Sequence, residues 1–367
     1  MWMVIFHLED PMAALLPSLN GFVNVTVGVK FRMDLLFILS GFLTSYVYLS
    51  RAGKLTPAAY RDFLRWRVVR LYPSCVVILL LSALLANLGK FMHIRLSHDY
   101  PWVDFFLNLA MLQAWPYVMT RVTTYNSGLW FLSALWFAYL FVGPIAWRLV
   151  QSVSGSWRNF LWVFVPLAVW LIMSQIAALH EFHMLCRACC GFLCGSALFL
   201  LYADSSRFIT SAQRHMDKTL IVFLALSVLV PLLPVGAARV AVNALLVLGC
   251  PFLVAGATAV TSVTAKLLTK APLIWLGNIS YSLFLSHNLC IKFLIRVLPA
   301  SAFSQDSLVI RLLIVLAYAG LILAVAVAFY RLVELPCAAA LKRFVRRPES
   351  ALSKPRELAS ATPAPLA

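Results

Sequence analysis

Nine apolar stretches fall at about residues 33–50, 71–89, 128–147, 159–179, 184–202, 219–235, 240–260, 273–295 and 309–333. Each is close to the roughly 20 residues that a helix needs to cross the hydrocarbon core of a bilayer. A tenth run, 103–119, is short and interrupted by Asp104, Asn108 and Pro116, which suits a re-entrant or interfacial segment better than a span. The chain is 62% hydrophobic and 12% charged, whereas soluble domains run at roughly 45–50% and 25%. The expected fold is therefore all-α, a polytopic transmembrane bundle of about ten helices. Met1 to Leu8 is too short to span and reads as the far end of a truncated first helix; it lacks the basic start and small-residue cleavage site of a signal peptide.

Thirty Lys and Arg against 13 Asp and Glu give a net charge of +17. In so apolar a chain this excess orients helices and attracts anionic lipid headgroups. No soluble basic domain is present to bind nucleic acid. Residues 51–70 hold six basic side chains and Lys342 to Arg356 hold six more, so both segments are expected in the cytoplasm. Eight spans between them satisfy this, the count obtained when 103–119 is left out. The same assignment puts Arg148 and Arg158, Arg207, Arg214 and Lys218, and Lys266 and Lys270 inside. Two regions follow: a membrane-embedded domain over 1–345 and a Pro-, Ala- and Ser-rich tail over 346–367 that reads as disordered.

Polar residues inside spans are expensive and mark functional candidates. The segment "LGNISYSLFLSH" (276–287) carries Ser280, Tyr281, Ser282 and Ser286 and ends on His287, fourteen residues past Leu273 and near mid-membrane, sharing a face with Ser280. That imidazole is suited either to shuttling a proton or to bracing a neighbouring helix. Arg67 and Arg70 stand three apart on one face of a helix that begins at the basic surface, with Arg65 beside them; guanidinium forks match phosphate oxygens, although six positive charges there also fix topology. Asp34 opens its helix, either as a functional acid or as an N-terminal carboxylate paired with Lys30 or Arg32. Ser40 and Gly41, like Gly191 and Gly195, allow close backbone approach, and Arg187 shares the face of those last two glycines.

No metal is expected. "HEFH" (180–183) lacks the i, i+4 histidine spacing that puts two imidazoles on one face. Cys186, Cys189, Cys190 and Cys194 lie on a spanning stretch without a second ligand set.

Four patterns in order, "RMDLLFILSGFL" (32–43), "RWRVVRLYP" (65–73), "GLWFLSALWFAYLFVGP" (128–144) and "LGNISYSLFLSH" (276–287), resemble the acyltransferase 3 family of bacterial integral membrane acyltransferases. The resemblance covers roughly 1–345. It implies an O-acyltransferase that moves an acyl group, acetyl by default, from cytoplasmic acyl-CoA to a hydroxyl of a cell-surface or exported glycan or glycolipid across the inner membrane. The family's first-helix histidine matches His7, which would act as general base, since imidazole titrates near the working pH. Asp34 and His287 would line a polar path, and Arg65, Arg67 and Arg70 would hold acyl-CoA. Two departures stand out. The family's basic residue eleven positions before the histidine would precede Met1, which points to a start upstream; and Leu135 occupies the place of a glutamate in the "WFLSAL" stretch. "VELP" (333–336) keeps the family's closing Glu-x-Pro with Glu334. A glycolipid transporter or flippase, or an inactive family member acting as a scaffold, are the other readings of the same residues.

Overall fold

The computed structural model describes residues 15–16, 31–50, 54–91, 101–118, 124–151, 156–234, 236–303 and 306–342. Every regular element among them is helical. We number them α1 (Arg32–Leu49), α2 (Pro57–Phe91), α3 (Trp102–Leu109), α4 (Leu129–Gln151), α5 (Ser156–Met173), α6 (His183–Ala203), α7 (Arg207–Arg214), α8 (Met216–Leu232), α9 (Ala237–Gly256), α10 (Val263–Leu268), α11 (Ala271–Val297) and α12 (Leu308–Leu341). Six helices among the described residues are long and apolar enough to cross a membrane: α1, α2, α4, α6 with its preceding turn, α9 and α12. The protein is a multi-pass membrane protein. His7, Lys30, the Met1 to Leu8 run and the tail 346–367 lie outside the described residues.

Side-chain bonds show that α5, α8 and α11 run between the same two ends as those six. At one end Arg67 at the start of α2 donates to Thr44 near the close of α1 (2.7 Å). There too Asn159 of α5 meets Asp204 after α6, and Asp217 at the start of α8 accepts from the Val263 and Thr264 amides of α10. At the opposite end the Tyr117 amide donates to Glu181 before α6 (3.1 Å), Asn126 before α4 donates to the Leu285 carbonyl in α11 (3.0 Å), and Tyr318 of α12 donates to the Leu298 carbonyl after α11. We call the first the basic end, because Arg65, Arg148, Arg158, Arg207, Arg214, Lys266 and Lys270 fall there, and the other the far end.

The short run 103–119 does not span. Its helix α3 has eight residues, about 12 Å at 1.5 Å per residue. It starts at the far end, where the Tyr125 hydroxyl holds the Pro101 carbonyl, and stops part-way down α2, where the Tyr72 hydroxyl donates to the Leu109 carbonyl (2.8 Å). The chain then turns through Met111 and climbs back toward Tyr117 without regular structure. Irregular backbone at membrane depth is tolerated only when buried in protein or lining a cavity, and side chains supply its partners. Ser133 of α4 donates to the Met111 carbonyl (2.6 Å) and accepts from the Ala114 amide (3.1 Å).

The centre of the bundle is the α1–α6 contact, built on three glycines. A β-carbon added at Gly195 would sit 1.9 Å from the Ile38 carbonyl oxygen, one at Gly41 would sit 2.1 Å from the Phe192 carbonyl oxygen, and one at Gly191 would sit 2.7 Å from Phe37 Cβ. Lipid tails are as apolar as leucine, so helices associate through close packing, and small residues permit it. The expectation drawn from Gly41, Gly191 and Gly195 is met. Substituting Gly195→Ala forces backbone against backbone and should cost at least the ~1–3 kcal/mol of an overpacked core. Gly277→Ala, whose new methyl meets nothing within 4 Å, should leave the melting temperature in detergent unchanged or slightly raised. Equal melting temperatures for the two variants would contradict this packing.

Candidate functional site

Polar groups concentrate in three places, and the one at the basic end surrounds Arg67. Tyr60, Phe63, Arg67 and Leu71 recur at helical spacing along α2, so one face of that helix turns toward α1 and α4. The Arg67 guanidinium lies 5.3 Å from the Phe63 ring centre and 4.9 Å from that of Tyr139, while donating to Thr44. Cation–aromatic contacts of this kind gain strength when water is excluded.

Tyr139 is aimed by a local widening of α4. Residues Ala138–Val142 form a π-helical turn, and Pro144 explains it, because proline has no N–H to give the Leu140 carbonyl four residues back. The Tyr60 hydroxyl fills that vacancy, within 2.6 Å of the Leu140 carbonyl and 2.9 Å of the Tyr139 carbonyl. In α12 a second π turn, Tyr330–Glu334, again ends two residues before a proline, Pro336. It delivers Glu334 to Ser282 of α11, whose hydroxyl donates to the carboxylate at 2.5 Å. Arg70 is close enough to interact with the Glu334 charge. π turns are frequent at functional sites, and a third, Ser45–Leu49, follows Thr44 directly.

Beyond Arg67 opens a cavity of about 160 Å³. Its walls are Arg67, Val68, Leu71 and Tyr72 of α2, Leu132, Trp136 and Tyr139 of α4, and the re-entrant tip Leu109, Ala110 and Met111. Arg67 and Tyr139 mark its end nearest the basic surface, and Tyr72, Leu132 and the tip mark the deep end. Among the described residues that line it, Arg67 is the one cation, and the chamber is otherwise largely apolar.

A family model described as an acyltransferase domain matches residues 1–331. The chain belongs to the acyltransferase 3 family. No curated protein and no solved structure matches it.

The other two polar groups of this acyltransferase lie apart from the cavity. Asp34, 2% exposed, accepts from Arg187 Nε (2.8 Å) and from a second Arg187 nitrogen (2.5 Å). Arg187 also lies 5.6 Å from the Trp170 ring centre. The partner of Asp34 is therefore on α6, not the adjacent Arg32, and the pair bolts α1 to α6 beside the glycine contact.

At the far end His287 is fully buried, and its Nδ1 donates to the Leu283 carbonyl (3.1 Å). Neighbouring α11 residues hold the strand of chain before α4: Asn126 donates to the Leu285 carbonyl, Asn288 bonds Ser127, and Lys292 donates to the Tyr125 carbonyl (3.3 Å). His287 thus lies level with the start of α4, nearer the far end than its place in the apolar run implied. Ser280 departs from expectation as well. It is exposed and bonds its own helix at the Gly277 carbonyl (2.6 Å), because a shared helix face is buried only where another element covers it. Between Asp34 and His287 runs an aromatic series, with Phe37 stacked on Phe131 at 4.5 Å, Phe131 to Phe284 at 5.5 Å, and Phe284 to His287 at 6.1 Å. Among the described residues these rings lie between the two.

Of the three arginines read together, Arg67 points inward, Arg70 is exposed near Glu334, and Arg65 meets Asp62 at 3.5 Å on the surface. Leu135, in the place of the family's glutamate, is buried in the apolar core. Thr44, Tyr60 and Tyr139 went unnoticed in the sequence. The Pro144 signal and the Tyr60, Phe63, Arg67 spacing point to two of them, whereas nothing local marks Thr44.

Two outcomes follow. Asp34→Ala leaves Arg187 buried without its carboxylate and should cost about 3–5 kcal/mol, read as a fall in melting temperature that Gly277→Ala does not share. Tyr60→Phe strips the donor from the Leu140 carbonyl and should cost about 1–3 kcal/mol; a melting temperature equal to that of the parent protein would show that the carbonyl needs no partner.

Proposed function

We propose that this acyltransferase is an integral protein of the bacterial inner membrane that takes an acyl group from acyl-CoA in the cytoplasm, acetyl by default, and passes it to a hydroxyl of a cell-surface or exported glycan. The observation that carries the reading is Arg67, an inward-facing cation in the wall of a largely apolar chamber toward the basic end. Coenzyme A combines phosphates with a thioester-linked acyl group, so its recognition calls for a cation beside an apolar space. Among the described residues Thr44 takes one of the five donors of Arg67, which leaves the others for phosphate or carbonyl oxygen. Arg70 lies on the exposed side of the same helix, where it can meet the outer phosphates, and Arg65 adds positive charge at the approach. The basic end faces the cytoplasm in this reading, as does the C-terminus.

The chemistry is transfer from a thioester to an alcohol. The C–S bond of the thioester breaks toward the basic end, coenzyme A leaves as the thiol, and the acyl carbon ends bonded to the acceptor oxygen, either directly or by way of an acyl-enzyme. His7 takes the hydroxyl proton as the C–O bond forms on the acceptor, and the thiolate released toward the basic end takes its proton from water. Asp34 and His287 serve as positioning residues, the first holding α1 against α6 and the second holding α11 against the start of α4.

The test is acyl-CoA dependence in purified protein, together with base-labile esters on the surface glycans of a deletion strain complemented in trans. Arg67→Ala removes hydrogen bonds from a charged group, about 1.5–3 kcal/mol, so kcat/KM for acyl-CoA should fall roughly 10- to 150-fold, with partial recovery in Arg67→Lys. Full ester levels in the Arg67→Ala strain would overturn the reading.

A further inference from the structure

Two features of the re-entrant segment remain unused by this account. Met111 adopts φ 58°, a left-handed backbone uncommon for a residue other than glycine and worth an explanation when it occurs. The fold over-determines this conformation, since Ser133 grips the Met111 carbonyl at 2.6 Å and the Ala114 amide at 3.1 Å, while Tyr72 holds the Leu109 carbonyl at 2.8 Å. The result is that Met111, 6% exposed, closes the deep end of the cavity opposite Arg67. Strain maintained by three hydrogen bonds at the end wall of a chamber points to a shape that matters.

The dimensions indicate what fits. From Arg67 to Tyr72 the chamber advances five residues along α2, and from Tyr139 to Leu132 seven along α4, which is roughly 8–10 Å at 1.5 Å per residue. Its volume of about 160 Å³ is close to the roughly 150 Å³ of an apolar cavity that admits benzene, room for an unbranched chain of about six heavy atoms. Leu71, Leu132, Trp136 and Met111 offer such a chain dispersion contacts. Arg67, the one cation among the described lining residues, suits a polar head at that end.

We propose that this chamber is the acyl-chain subsite of the donor and that Met111 and Leu132, at its deep end, set the longest acyl group the enzyme accepts, with Ser133 as the positioning residue that holds Met111 in place. This rests on the donor reading above and extends it from acetyl to short unbranched acyl groups of up to about six carbons. The chain lies between Leu132 and Met111 with its thioester toward Arg67. Each methylene buried adds about 0.8 kcal/mol, so affinity should climb about fourfold per carbon until the chain meets Met111 and then drop.

The experiment uses the full-length protein in lipid nanodiscs and measures dissociation constants for coenzyme A and for acyl-CoA esters of two to ten carbons. In the parent protein, affinity should rise to about four to six carbons and fall beyond. Met111→Ala and Leu132→Ala should each move the optimum one to three carbons longer while binding of coenzyme A itself stays within about twofold. Ser133→Ala should broaden the profile without moving the coenzyme A constant. An acyl-CoA bearing a diazirine at the chain end should cross-link within 109–111 or 132–136 in the unmutated protein, which keeps the test independent of any variant that fails to fold. If coenzyme A binds but neither the length profile nor the cross-link maps to these residues, the subsite is overturned and the donor reading survives. If a photoactivatable phospholipid tail labels Met111 and acyl-CoA does not compete, the chamber holds lipid and the proposal fails. If coenzyme A does not bind at all, both readings fall.

Discussion

Lipid supplies no hydrogen bonds, so every peptide group at membrane depth must find its partner inside the protein. The structure is shaped by the places where a regular helix does not provide one. Pro144 leaves the Leu140 carbonyl without an amide, and the Tyr60 hydroxyl takes it. The turn after α3 leaves the regular helical ladder for scattered turn bonds, and Tyr72, Ser133 and Asn126 supply bonds that secure the chain on either side of it. Each repair joins one helix to another. The same groups that satisfy the backbone therefore hold the bundle in register and fix the positions of Arg67, Tyr139 and Met111.

Around this framework the two kinds of packing have separate tasks. The Gly41, Gly191 and Gly195 contact brings α1 and α6 close enough for Asp34 and Arg187 to meet, and the ion pair then penalises any shift of one helix along the other. A buried pair of this type contributes little net stability when intact, because desolvation offsets the attraction, yet it is costly to break. The aromatic series from Phe37 to His287 fills the space between this contact and α11. The chamber at the basic end is left as the place where a charged group and an apolar volume adjoin, and in an acyltransferase that is where a donor with both characters belongs.

A good deal of this was legible from residue order. Among the described residues, apolar runs of bilayer length located the longer helices, and the interruptions by Asp104, Asn108 and Pro116 marked α3 as an exception. The small residues of α1 and of α6 each announced a close helix contact, without naming the partner. Other parts were not legible, for reasons that can be named. Asp34 had basic neighbours in the chain at Lys30 and Arg32, so its bond to a residue 153 positions away could not be read from local spacing. Ser280 and His287 share a helix face, yet only the second is covered, because burial depends on where the neighbouring elements end.

Sequence alone determined the solvent of this protein, its helical class and its family, since length and polarity of apolar runs, together with four short motifs, are properties of the chain by itself. Tertiary structure alone decided which arginine faces inward, which carbonyls are bonded by tyrosines, and how deep the chamber beyond Arg67 runs. Those depend on contacts between segments far apart in the chain, which the bilayer forces together but whose pairing no local pattern encodes.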